Sequence, residues 1–128
     1  MIEVAAAVII DDRQNVLICQ RAAGGSCACL WEFPGGKREQ DETLEECLAR
    51  ECGEELDVTV SVGEKIMETV HAYPDKEVKI TFLAAAVTRG TPRNLIHLDC
   101  RWVSVESLDQ YDFCPADRKM VGRLRRKP

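Results

Sequence analysis

The segment Gly35 to Leu56, GGKREQDETLEECLARECGEEL, sets eight Asp or Glu side chains against three cations in a stretch that reads as a glycine turn followed by a helix. Thr43-Leu44-Glu45-Glu46 has the form of a capping box, in which the threonine and the glutamate three residues on satisfy each other's backbone amides, so the helix begins at Thr43. Leu44, Cys47 and Leu48 then recur at i, i+3, i+4 and define an apolar face that the rest of the chain must cover. Glu51, Glu54 and Glu55 share another side of the same helix, because each residue advances about 100°. Carboxylates near a helix C-terminus oppose the dipole, and like charges four apart repel, so the arrangement costs stability. A hard divalent cation suits such a cluster, since Mg²⁺ takes oxygen ligands shared between a few carboxylates and substrate phosphates. A solvated acidic helix end is the alternative that the helix geometry leaves open.

Around this helix the pattern is mostly β. Short β-rich runs lie at Glu3 to Ile10 and Val16 to Arg21, joined by the turn formers of DDRQN, which predicts a hairpin. Others cover Val58 to Val70 and Val78 to Val87, with a Pro-Asp turn in HAYPDKE between them, and Arg101 to Ser104. A second helix is expected from about Pro115 to Arg125. No repeat or linker interrupts this order, and 128 residues suit one modest core, so residues 1–128 are expected to form a single α+β domain with a mixed sheet sandwiched between helices.

Several function classes are disfavoured. The longest apolar run, Val4 to Ile10, has no basic region before it and meets Asp11-Asp12 at once, which fits a buried strand and not a signal peptide or membrane span. A cytoplasmic protein without a membrane partner is therefore expected. The seven cysteines are odd in number and irregular in spacing, so they read as reduced thiols. Cys27-Ala-Cys29 is the only close pair, and neither the other cysteines nor His71 and His97 show a spacing that completes a zinc site. A net charge of −5 argues against a stable nucleic-acid partner, since phosphate-dominated affinity needs a basic face. The basic tail, Arg118 to Lys127, reads as cations complementing the end of the last helix.

The whole acidic stretch matches the Nudix box, G-x5-E-x7-R-E-U-x-E-E-x-G-U with U apolar, at Gly36, Glu42, Arg50, Glu51, Glu54 and Glu55. Cys52 and Val58 take the apolar positions. Asp57 stands where the pattern has its last glycine, a mild departure because Asp tolerates a left-handed helix end. WEFPGGK at Trp31 to Lys37, QRA at Gln20 to Ala22 and FCPAD at Phe113 to Asp117 extend the likeness, so that nearly the whole chain resembles the MutT-like branch of the Nudix hydrolases. The resemblance implies an α/β/α Nudix fold and Mg²⁺- or Mn²⁺-dependent hydrolysis of a nucleoside triphosphate to the monophosphate and pyrophosphate. It also implies roles: Glu51 and Glu55 as metal ligands, Glu54 as a further ligand or water-orienting base, and the Gly36 carbonyl as a ligand. Arg50 would hold the constellation rigid by pairing with Glu42 or a helix carboxylate, and Lys37 and Arg21 would meet phosphate oxygens.

One position departs further. MutT-like enzymes carry a metal-site glutamate six residues before the late tryptophan, and Ile96 stands six before Trp102. His97 and Asp99 are the nearby groups able to substitute, though either also fits a surface loop. In the base pocket, Asp117 stands where MutT itself has Asn, and an ionised Asp only accepts hydrogen bonds. Oxidised purine triphosphates such as 8-oxo-dGTP are the expected substrates, with CTP, dCTP or 5-modified CTP as the alternative. A non-catalytic base-recognition module is a weaker one. Tyr73 is a candidate to stack on the base, or else a core aromatic. A monomer or weak dimer is expected.

Overall fold

The computed structural model describes residues 1–126, so Lys127 of the basic tail lies outside the described residues. Strands β1 (Ile2–Ile9), β2 (Asn15–Gln20), β3 (Trp31–Glu32) and β4 (Gly35–Lys37) precede helix α1 (Leu44–Leu56). They are followed by β5 (Thr59–Tyr73), β6 (Lys76–Arg89), β7 (Asp99–Ser104) and helix α2 (Arg118–Arg125).

The predicted hairpin between the first two strands does not form as a paired ribbon. Asp11 Oδ1 accepts from the backbone N–H of Arg13 and Asn15, closing the turn, but beyond one bridge, Ile10 to Val16, the strands diverge into separate sheets. One sheet is mixed and four-stranded, in the order β4-β1-β6-β5, with β1 and β6 parallel; the other is three-stranded and antiparallel, in the order β3-β2-β7. The expected mixed sheet between helices is present, and a smaller antiparallel sheet accompanies it.

The divergence explains why β1 is apolar without alternation. Ala5, Ala7 and Ile9 meet Cys47, Leu48, Cys52 and Leu56 of α1, while Ala6 and Val8 join Phe82, Phe33, Met120 and Leu124 on the α2 side. A strand covered on both faces has no solvent side to keep polar. Its small alanines also admit a close neighbour: Ala6 opposes Gly35, where an added Cβ would run into the Ala5 backbone oxygen. The WEFPGGK turn is thereby pressed against the sheet, and its backbone is delivered to α1.

Helix α1 starts as predicted. Thr43 Oγ1 accepts from Glu46 N–H at 3.0 Å and Glu46 Oε1 from Thr43 N–H at 2.8 Å. It ends at Asp57, whose left-handed φ of 56° is the conformation a glycine would adopt most easily there. The second helix is preceded by a 3-10 turn, Pro115–Asp117. No helix among the described residues is long and apolar enough to cross a membrane.

Candidate active site

Arg50 is the hub of the acidic cluster. Its Nη2 and Nε donate to the two oxygens of Glu42 at 2.7 and 3.1 Å, its Nη1 reaches Glu51 Oε2 at 3.1 Å and Glu54 Oε1 at 3.2 Å, and Nη2 also donates to the Lys37 carbonyl at 3.1 Å. The expected choice between Glu42 and a helix carboxylate resolves to both. These bonds hold the Glu42 carboxyl down at about 2, and the Arg50 guanidinium is held correspondingly more firmly charged by Glu42 and Glu51. A planar fork sharing two parallel bonds with one carboxylate is a geometry that lysine cannot reproduce.

The three clustered glutamates differ in setting. Glu54 is 60% exposed and faces solvent beside Arg50. Glu51 is turned inward against Gly36, where any side chain would collide with its carboxylate. Glu55 is buried, and its Oε1 has no hydrogen-bond partner. Burial pushes the Glu55 carboxyl up to about 8, and the charges of Glu32 and Glu51 add to this while His97 opposes it. A buried carboxylate oxygen without a donor costs on the order of 1–3 kcal/mol or more, so it is where a cation would be received. The orphaned Glu55 oxygen, the side-chain-free approach at Gly36 and the all-oxygen donor set fit a hard divalent ion held by Glu51, Glu55 and the Gly36 carbonyl, whereas Glu54, expected as a further ligand, faces solvent beside Arg50.

The loop after β6 supplies the group opposite Glu55. Arg93 N–H donates to the Leu56 carbonyl, Leu95 N–H to that of Glu55 and Leu98 N–H to that of Gln20, tying the loop to the end of α1 and to β2. Ile96 points outward, 57% exposed. His97, only 4% exposed at its side chain, points in, with Nε2 3.2 Å from Glu32 Oε2 and 3.8 Å from Glu55 Oε1. Burial pulls its imidazole down, but hydrogen bonds to Cys100 and Glu32 and the charge of Glu55 outweigh this and raise it to about 9. Asp99 instead faces solvent, paired with Arg101 at 2.8 Å. Of the two residues able to stand in for the missing loop carboxylate, only His97 reaches the site.

Beside the acidic cluster lies a cavity of about 180 Å³, lined by Gly36 and Lys37 as well as by Arg21, Glu32, Tyr73 and Asp117. Lys37 is thus on the cavity wall, as expected of a phosphate-binding cation. Arg21 also lines it but is partly committed, its Nη1 3.0 Å from Glu32 Oε1 and its Nε 3.0 Å from the Ser26 carbonyl. Tyr73 contributes to both readings offered for it: it packs against the core and faces the cavity. Asp117 departs from its expected state. It is 5% exposed, and burial, with Glu32 adding, raises its carboxyl well above the ordinary 3.8 despite Arg21. Burial thus favours the protonated acid, which, like Asn, donates as well as accepts.

Glu32 was given no role in the sequence reading, yet it touches Arg21 and His97 and lies within reach of Cys114 and Asp117. The one available signal was a lone charge between Trp31 and Phe33, both of which pack into the core.

The NUDIX domain matches residues 5–123. A CTP pyrophosphohydrolase of Escherichia coli K12 is 37% identical over 91% of this chain and 86% of its own length. An 8-oxo-dGTP diphosphatase of the same organism is 29% identical over 98% of the chain and 97% of its own. Among solved structures, the MutT protein of Methanosarcina mazei Go1 superposes with a TM-score of 0.87 at 26% identity, covering 98% of this chain and 93% of that one.

Proposed function

The chain belongs to the NUDIX domain family, and from that premise we propose that it is a Mg²⁺-dependent nucleoside triphosphate pyrophosphohydrolase that releases the monophosphate and pyrophosphate, with Mn²⁺ as a second usable ion. The observation that carries this reading is the buried, partnerless Glu55 oxygen facing the same corner as Glu51 and the Gly36 backbone, immediately beside a cavity lined by Lys37 and Arg21. A divalent ion held by Glu51, Glu55 and the Gly36 carbonyl supplies charge neutralisation for the polyphosphate and a more acidic water. The chain's own groups do the rest. Lys37 and Arg21 meet phosphate oxygens, Glu54 at the solvent rim orients the attacking water and accepts its proton, and Arg50 keeps Glu51 and the Gly36–Glu42 loop in register. His97 sits near Glu55 in place of a carboxylate at position 96 and holds positive charge against it.

For the base, Asp117 as a neutral acid can donate to a purine O6 and accept from an N–H, which favours oxidised purines such as 8-oxo-dGTP, with Tyr73 against the ring. A pyrimidine substrate, CTP, dCTP or a 5-modified CTP, is the second reading, favoured by the 37% identity to a CTP pyrophosphohydrolase. Such an enzyme, a single domain acting as a monomer or weak dimer, belongs in the cytoplasm with the nucleotide pool. A steady-state survey of nucleoside triphosphates with Mg²⁺, scoring pyrophosphate, tests the proposal. Pyrophosphate and monophosphate from at least one triphosphate are expected; release of inorganic phosphate instead, or no turnover, overturns it.

A further inference from the structure

A row of side chains runs across the three-stranded sheet. Glu32 on β3 opposes Cys19 on β2, which in turn opposes Cys100 on β7. Directly opposed residues project to the same face, and Cys19 and Cys100 both pack among the residues that face α1. The two sulfurs are 3.5 Å apart. The loop ending at Leu98 folds His97 over them, its Nδ1 4.0 Å from Cys100 Sγ, and the three ligand atoms all lie within 4.8 Å of one another. With metal–sulfur bonds near 2.3 Å and metal–nitrogen bonds near 2.0 Å, a tetrahedral centre has ligand–ligand edges of roughly 3.8 Å between sulfurs and roughly 3.5 Å from sulfur to nitrogen. The separations of Cys100 from Cys19 and from His97 already lie near those edges, and Cys19 and His97 come within 4.8 Å of each other.

The far side of the imidazole supports the same assignment. Nε2 of His97 is 3.2 Å from Glu32 Oε2, so a carboxylate stands where metal-bound histidines keep their orienting partner, fixing the tautomer and raising ligand basicity. We propose that Cys19, His97 through Nδ1, and Cys100 form a binding site for a thiophilic divalent cation of the zinc class, with Glu32 as the orienting carboxylate and a fourth position left for water or a small donor. This donor set is chemically distinct from the all-oxygen set of Glu51, Glu55 and Gly36, because soft thiolates select against Mg²⁺. The hydrogen bond between the two thiols pulls Cys100 down to about 5, with His97 adding to the effect, while the same bond and burial push the Cys19 thiol well up, so the proton a cation has to displace is that of Cys19. Binding takes two protons to solvent, the remaining thiol proton of the pair and the Nδ1 proton of the His97 imidazolium, leaving both sulfurs as thiolates and Nε2–H directed at Glu32.

The test is a Co²⁺ titration of the full-length protein, stripped of metal, kept reduced by a phosphine under anaerobic conditions, and saturated with Mg²⁺ so that the carboxylate site is filled. The expected result is one equivalent of Co²⁺ with thiolate-to-metal charge transfer and the strong visible bands of a tetrahedral ion, displaced by one equivalent of Zn²⁺. Cys100→Ser should abolish the charge-transfer band. Glu32→Gln should keep the band but weaken affinity by roughly 10- to 100-fold, which a merely structural glutamate would not do. The double change of Cys27→Ser and Cys29→Ser, at thiols outside this row, should alter neither. No charge-transfer band in the folded wild type, a band that survives Cys100→Ser, or a band lost on changing Cys27 and Cys29 would each overturn the assignment. So would mass spectra showing Cys19 and Cys100 still joined as a disulfide under these reducing conditions.

Discussion

At the scale of single residues, two buried acids carry opposite kinds of information. Glu55 is held where only a positive partner favours its carboxylate, so Glu55→Gln, which keeps shape but cannot ionise to meet a cation, should lower turnover by roughly 10²-fold or more. The folded state should survive, with a thermal midpoint equal to or above that of the wild type; wild-type turnover in this variant would remove Glu55 from the site. Asp117 is buried, and its carboxyl is raised well above the ordinary 3.8, which favours the protonated form. A raised acid contributes stability that is whole below the unfolded value and is lost as pH climbs toward the folded one. Asp117→Asn has no such loss. Urea unfolding at a series of pH values should show the stability of the variant relative to wild type increasing as pH rises above the ordinary carboxylate range. A difference independent of pH would mean that Asp117 is ionised in the folded protein.

At the scale of elements, α1 is held at its start by a cap and along its length by a clamp, and the two can be separated. The reciprocal bonds of Thr43 and Glu46 stabilise only the first turn. Thr43→Ala should cost about 1 kcal/mol and lower the thermal midpoint by roughly 4 °C, with kcat/KM at low temperature little changed, because Arg50 still ties the helix to Glu42 and Lys37. Arg50→Lys should do the reverse. It keeps the charge but loses the fork, so the loop carrying Gly36 loosens from Glu51; apparent Mg²⁺ affinity should fall roughly tenfold with a small thermal shift. Calorimetry and Mg²⁺ dependence of turnover on both variants decide the matter. Equal effects on both readouts would show that cap and clamp act as one unit.

At the scale of the whole molecule, two apolar layers lie on opposite sides of β1 and share it, which couples the α1 layer carrying the acidic cluster to the layer containing Trp31. Leu48, fully buried between α1 and the sheet, anchors the first layer. Leu48→Ala should cost about 2–5 kcal/mol through the cavity it leaves. If residues 1–128 behave as one domain, Trp31 fluorescence and turnover should be lost in the same urea transition, in wild type and variant alike. Activity disappearing well before the fluorescence change would show that the layers melt separately.

How much was legible in the sequence follows from how far each feature depends on distant chain. The capping box and the crowding of Glu51, Glu54 and Glu55 are set by residues within one helix, where spacing and backbone geometry suffice, whereas the left-handed end at Asp57 and the Arg50–Glu42 pairing were legible only through the resemblance to the Nudix box. The five longer strands were readable because their apolar patterns persist over many residues. The short β3 and β4 were not, since two or three residues carry no period. The division into two sheets was not either, because DDRQN specifies a turn and says nothing of which neighbours the strands choose beyond it. Tertiary pairing alone decided that His97 and not Asp99 faces Glu55, that Asp117 is buried with its carboxyl raised, and that Glu32, Cys19, Cys100 and His97 meet. The last four residues come from three separate parts of the chain, β2, β3 and the His97–Cys100 segment, and their proximity is a consequence of strand register and one loop's hydrogen bonds, quantities that no local pattern encodes.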